Sequence, residues 1–223
     1  MAGRDWLFYM KIMDLTHTIS PGMPVYPGTA PPVFAVSSAL EDAGFLERKI
    51  TLCSHTGTHV DAPAHLLGEG ITLDRLPADH FFGKAVSLDL THLPSGFIDK
   101  NELKPHAEVI GSVEFVLLCT GWSRYWGNTT YFSNYPVLKP QAARWLSEFN
   151  LKGIGVDAIS ADSADSVDFP IHKILLRRHI IIIENLTALD QLGGDPFFFS
   201  CFPMKFEAAD GSPVRAVAMQ PLV

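Results

Sequence analysis

The chain has 223 residues, 47% hydrophobic and 18% charged, with a formal net charge of −7. That length suits one large domain or two small ones, and it can bury a core that needs neither disulfides nor a structural metal. The acidic balance, with no Lys/Arg cluster, argues against a nucleic-acid partner. The longest aliphatic run, Ile180 to Ile183, is far short of the ~20 residues a membrane span requires.

Taken in chain order, the N-terminus lacks a signal-peptide pattern, because Asp5 and Lys11 interrupt its apolar stretch. Met10 opens a segment that reads as a natural start, so residues 1–9 are expected to be an N-terminal extension and 10–223 a single domain. Pro21 to Pro32 reads as an extended surface loop. Arg48 to Cys53 has strand composition and leads into the segment His55-Thr-Gly-Thr-His59-Val-Asp61-Ala-Pro-Ala-His65. Lys84 to Leu90 and Val113 to Cys119 read as strands, the second buried. Pro140 to Asn150 has helical spacing at Ala142, Ala143, Leu146 and Phe149, with Pro140 suited to a first turn. Gly153 to Val156 is a short strand ending at Asp157. Lys173 to Arg178 ends a second helix, and Ile180 to Ile183 is a buried strand. Phe197–Phe206 and Val214–Met219 flank Ala-Ala-Asp210-Gly211-Ser, which carries a hairpin signal. Strands outnumber helices, so a mixed α/β domain built on β layers is expected.

Cys53, Cys119 and Cys201 are scattered and odd in number. They read as small buried hydrophobes in a reducing cytoplasm.

Three histidines and an aspartate between His55 and His65 concentrate metal-ligand chemistry. In an extended chain His55, Gly57, His59 and Asp61 share a face. A straight strand would separate the His55 and His59 backbones by ~13 Å, near the limit for two imidazoles gripping one ion. The segment must therefore bend, and Gly57 is the residue that bends most easily. A helix would also align these histidines, but Gly57, Thr58, Val60 and Pro63 disfavour one. His and carboxylate ligands without cysteine suit zinc, with manganese the alternative, at a site open to water and substrate. Far along the chain, Glu184 ends a buried strand. A carboxylate there must be paired or bound to metal, and the two readings are a metal ligand or an ion pair with Arg177 or Arg178. His172 alone is a weak signal.

The segment reproduces H-x-G-T-H-x-D-x-P-x-H without departure, and the chain thereby resembles the cyclase-like metal hydrolases, among them bacterial kynurenine formamidases and isatin hydrolases. Asp14-Leu-Thr-His17, Pro24-Val-Tyr-Pro27-Gly28, Glu184-Asn-Leu and Asp210-Gly-Ser-Pro-Val-Arg215 also look like family landmarks. The resemblance implies His55, His59, Asp61, His172 and Glu184 as ligands of one or two ions, with Asp61 and Glu184 between them. It implies His65 as catalytic acid/base. It implies a swivelling β/β/α fold with flanking helices, and a homodimer or homotetramer. The implied reaction is hydrolysis of a formamide, N-formylkynurenine first, on a small and aromatic substrate. An isatin-type cyclic amide, or a non-hydrolytic cyclase or lyase reaction at the same metal, is the alternative.

Three further features complete the reading. Asp162, Asp165 and Asp168 are read as capping and solvated loop residues, while Asp157 is expected to hydrogen-bond a ligand or the motif loop. The aromatics of Gly121 to Pro136 are either a lid over a flat substrate or subunit packing. His80, His92, His106 and His179 are ordinary residues, and His17 is raised slightly by its landmark.

Overall fold

The computed structural model describes residues 10–93 and 96–221. The expected extension at 1–9 lies outside the described residues. The strands are β1 (Met10–Asp14), β2 (Val33–Ser38), β3 (Glu47–Thr51), β4 (His59–Asp61), β5 (Phe82–Asp89), β6 (Phe97–Ile98), β7 (Phe115–Cys119), β8 (Val137–Leu138), β9 (Gly153–Val156), β10 (Ile181–Glu184), β11 (Phe197–Ser200), β12 (Gly211–Pro213) and β13 (Val217–Pro221). Nine of them form one mixed sheet in the order β1-β13-β11-β5-β7-β9-β10-β4-β12. Its centre, β5-β7-β9-β10, is parallel, and the strands on both sides run antiparallel.

The central strands are apolar on both faces because both faces are covered. Phe115, Leu117, Cys119, Ile181 and Ile183 point into one cluster, where they meet Phe197, Phe199, Val60, Met13 and Ala216. Val116, Leu118, Ile154 and Ile182 point to the other side. There the helices Pro140–Leu146 and Pro170–Leu176 cover them with Ala142, Ala143, Leu146, Leu175 and Leu176. Among the described residues the first cluster is covered by no α-helix, only by single 3₁₀ turns that supply Leu73, Phe81 and Leu189. The sheet curls, so that the end of the edge strand β1 reaches the end of β10: Thr187 N–H donates to Leu15 O at 3.1 Å, and Thr16 bridges Leu186. Each fully buried isoleucine of β10 contributes roughly 1.5–3 kcal/mol. That run offsets the cost of ending the strand on a buried carboxylate, Glu184.

The mixed α/β reading stands, and the expected strands lie within a few residues of their expected bounds. Three details differ. The pairing expected across Asp210-Gly211-Ser is there, since β11 and β13 run antiparallel and Pro203 bridges Val214 in the same register, but the connection is not a tight turn, because the chain between them leaves to form β12 against β4. Cys53 is exposed, unlike Cys119 and Cys201, because it follows the outlying β2–β3 hairpin instead of entering the sheet. The long helix expected over 140–150 closes at Leu146.

Candidate active site

β4 is the centre of the site. Its register places His59 beside Glu184 of β10 and Pro213 of β12, and places Asp61 beside Gly211. Alternation along the strand then puts His59 and Asp61 on the face that Glu184 shares. Upstream the chain bends at Gly57, which has φ of +66°. This turn brings His55 back, with Nδ1 2.7 Å from Asp61 Oδ1. Downstream a single 3₁₀ turn, Pro63–His65, carries His65 over the His55 ring at a centroid distance of 3.9 Å. His172 enters from the first turn of the helix Pro170–Leu176. Its Nε2 lies 3.1 Å from Glu184 Oε1 and 3.4 Å from Asp61 Oδ2. His59 Nε2 lies 3.2 Å from Asp61 Oδ1 and 3.5 Å from Glu184 Oε2. All six sequence-predicted residues therefore meet. Glu184 makes no ion pair with Arg177 or Arg178: its Oε1 accepts from Ala161 N–H at 2.7 Å and faces the two histidines.

Each of the three inner histidines directs one nitrogen at the carboxylates and holds the other on an outer acceptor. His59 Nδ1 donates to Gly57 O at 2.8 Å. His172 Nδ1 donates to Asp162 Oδ2 at 2.7 Å. His55 Nε2 faces Asp210 Oδ2 at 3.1 Å. An outer acceptor fixes the tautomer and leaves the inner nitrogen as the ligating atom. Asp61 Oδ2 is buried and accepts no hydrogen bond, a costly state for a carboxylate oxygen without a cation. Imidazole and carboxylate donors, no thiolate and an orphaned oxygen fit a divalent metal. His55, His59 and Asp61 form one compact group, and Asp61, His172 and Glu184 another, with Asp61 common to both.

The electrostatics agree. Burial disfavours a charged His55 imidazole, but the Asp61 and Asp210 carboxylates outweigh it and raise His55 to about 9. Burial likewise opposes charge on His172, yet its carboxylate partners Asp162, Asp61 and Glu184 hold it well above the usual imidazole range. Burial would raise Asp61, and the charges of His55 and His59 hold it well below the carboxylate range instead. The cluster is built to retain positive charge. His65 goes the other way: burial lowers it, so it is a neutral imidazole at neutral pH.

A cavity of about 280 Å³ opens beside these groups, walled by His65, His59, Glu184, Tyr26, Phe169 and Ile159 among others. Several residues of the site were not foreseen. Asp162 is buried, and besides His172 Nδ1 it accepts from the backbone N–H of Ile171 and His172, so it caps the helix and orients the ligand at once. The helix supplies no cap of its own, since Phe169 precedes it in the left-handed region. The expectation that Asp162 caps is met, while its bond to a site histidine was not foreseen; the Asp-Phe-Pro boundary was the available signal for a helix start there. Tyr26 and Phe169 wall the cavity and none of the Gly121–Pro136 aromatics does, so of the two readings of those aromatics the lid is not what the structure shows. Those aromatics form a buttress. Trp122, Tyr131 and Tyr135 pack with Ala158 and Ile159. Tyr131 donates to Asn185 Oδ1 at 2.8 Å, and Asn185 Nδ2 donates to Gly57 O at 2.9 Å, which pins the motif turn. Asp157 bonds neither a ligand nor the motif loop. It accepts from the Thr120 hydroxyl and from the backbone N–H of Thr120 and Trp122, anchoring the start of that buttress.

Residues 13–163 match the Cyclase family model. Over 220 residues the chain is 34% identical to the kynurenine formamidase of Bacillus thuringiensis (strain Al Hakam), covering 97% of this chain and 98% of the relative. Isatin hydrolase A from Labrenzia aggregata, solved with benzyl benzoate, superposes with a TM-score of 0.86 at 26% identity, over 95% of this chain and 94% of its own. A potential metal-dependent hydrolase with cyclase activity superposes with a TM-score of 0.79 at 29% identity, over 94% of this chain and 98% of its own. By sequence over nearly its whole length, and by fold, the chain belongs to the cyclase family of metal-dependent hydrolases.

Proposed function

We propose that this chain is a metal-dependent amidohydrolase that cleaves an aryl formamide, with N-formylkynurenine as its substrate, releasing the amine and formate. The observation that carries the reading is the convergence of His55, His59 and His172 on Asp61 and Glu184, each histidine held by its own outer acceptor, beside a cavity with His65 in its wall. The similarity to kynurenine formamidase supports the reaction class.

His55, His59, Asp61, His172 and Glu184 would hold one or two ions, zinc in this reading and manganese as the alternative. When bound, such an ion polarises a carbonyl oxygen and lowers the pKa of water. The protein supplies the rest. His65, neutral and at the cavity wall, accepts a proton from the attacking water and returns one to the departing amine nitrogen. Pro24, Val25, Tyr26, Ile159 and Phe169 give the cavity an apolar flank that suits a planar aromatic ring. The same flank suits isatin, a fused aromatic amide, and the fold likeness to isatin hydrolase A favours it as the second substrate.

Zinc-loaded and manganese-loaded enzyme assayed against N-formylkynurenine, isatin and simple lactams tests this. The expected result is turnover of the formamide, with ¹⁸O from labelled water in the released formate. Turnover without water oxygen in the product would favour a cyclase or lyase reaction, and no turnover of any acyl compound would defeat the hydrolase reading.

The protein is further proposed to be a cytoplasmic homodimer or homotetramer without nucleic-acid or membrane partners. Three unpaired cysteines and the net charge of −7 support this. No helix among the described residues is long and apolar enough to cross a membrane. The β2–β3 hairpin leaves Val33, Val36 and Ile50 exposed, and a lone hairpin is marginal in water. Sedimentation showing only a 24.5 kDa species at micromolar concentration would count against the oligomer.

A further inference from the structure

Asp210 meets two histidines of unlike function. Its Oδ2 lies 3.1 Å from His55 Nε2 and 3.7 Å from His65 Nδ1. The two ring centroids are 3.9 Å apart with the planes tilted by 38°, so one carboxylate oxygen comes near a nitrogen of each. The approach is built into the backbone. Asp210 O accepts from Ala62 N–H at 2.8 Å, in the middle of the segment joining the two histidines. β12 then runs directly against β4, and the turn that delivers Asp210 holds Ala208 in the left-handed region, with φ of +54°. Strain of that kind persists where surrounding structure enforces it.

We propose that Asp210 is a positioning residue for both histidines: it holds His55 through Nε2 and aligns His65 by accepting from Nδ1–H. The inference rests on the acid/base reading of His65 and deepens it. A neutral imidazole has one N–H and one bare nitrogen, and a bond at Nδ1–H leaves Nε2 as the base facing the cavity. The separation of 3.7 Å is longer than a hydrogen bond. The Asp210 side chain is 48% exposed and already bonded to His55, and catalytic bonds of this kind tighten when substrate closes the site. Its role differs from that of Asp162, which is buried and meets only one of the site histidines, His172.

The test compares Asp210→Asn, Asp210→Glu, His65→Ala and the unaltered enzyme, all loaded with zinc. Metal content is read by mass spectrometry, kcat and KM on N-formylkynurenine, and the His65 tautomer by ¹⁵N NMR of histidine-labelled protein, with His65→Ala supplying the assignment. At saturating zinc Asp210→Asn is expected to keep its metal equivalents and KM, while binding zinc about 10–100-fold more weakly through the loosened His55 and losing about 10–100-fold in kcat. The His65 signal should shift away from the Nδ1–H form, and Asp210→Glu should restore part of both. Unchanged kcat together with an unchanged tautomer would overturn the proposal. So would loss of metal as complete as in His59→Ala, which would make Asp210 a ligand. If His65→Ala itself keeps full activity, the acid/base reading fails, and the tautomer shift alone then decides whether Asp210 aligns the ring.

Discussion

The backbone of Gly211 lies flat against the imidazole of His55: a Cβ at position 211 would stand 2.5 Å from Cε1 and 2.7 Å from Nε2. No real Cβ sits so close, so Gly211→Ala must move either the ring or β12. Overpacking of this kind costs about 1–3 kcal/mol. Displacing one ligating imidazole should weaken metal affinity about 10–100-fold. Competition with a chromogenic chelator measures it, and an affinity equal to that of the unaltered protein would remove His55 from the ligand set.

His65 should separate from the ligands. Replacing His59 or His172 with alanine leaves a buried carboxylate without its partner, and metal and activity should fall together. His65→Ala should retain near-normal metal while losing ~10²–10⁴ in rate, the range of a positioned acid/base. Metal content beside turnover for each variant decides it. If His65→Ala is as metal-poor as His59→Ala, His65 is a ligand.

Asp162 should matter as much to His172 as a direct ligand does to the metal. Its two oxygens accept from Ile171 N–H, His172 N–H and His172 Nδ1. Asparagine offers one accepting oxygen, so at least one buried donor is orphaned, at about 1–3 kcal/mol. Asp162→Asn is expected to lower both the Tm and the metal affinity. A lowered Tm with unchanged affinity would assign Asp162 to helix capping alone.

His17 supplies a pH dependence. Its ring stacks on Trp126 at 3.8 Å and 3°, and burial lowers its pKa to about 4 from 6.5. The unfolded chain takes up this proton at higher pH than the folded chain does. Its contribution to stability is therefore present above 6.5 and is lost as pH falls toward 4. His17→Phe keeps the stack and removes the proton site. Thermal unfolding at pH 7.5 and pH 4.5 should show a smaller acid-induced drop in Tm for the variant. An equal drop would place the acid sensitivity in other groups.

The chemistry of this protein was legible in one contiguous segment, because His55, His59, Asp61 and His65 are close in sequence and two local features, the bend at Gly57 and the 3₁₀ turn Pro63–His65, gather them. The central strands were legible for a similar local reason: strands covered on both faces are apolar without interruption, as in Phe115–Cys119 and Ile181–Glu184. Glu184 could be noticed only as a charge out of place, and two readings of it stayed open until the register against β4 set it beside His59. Asp162, Asp210, Tyr26 and Phe169 were not legible as site residues. Asp162 and Asp210 have the sequence surroundings of ordinary turn residues, and Tyr26 those of a surface loop. Their roles arise from contacts across 10 residues in one case and 155 in another. A sequence pattern reports which face of its own element a residue occupies. Which distant ring a carboxylate meets is decided when the sheet curls and β12 closes on β4, and that depends on packing summed over the whole chain.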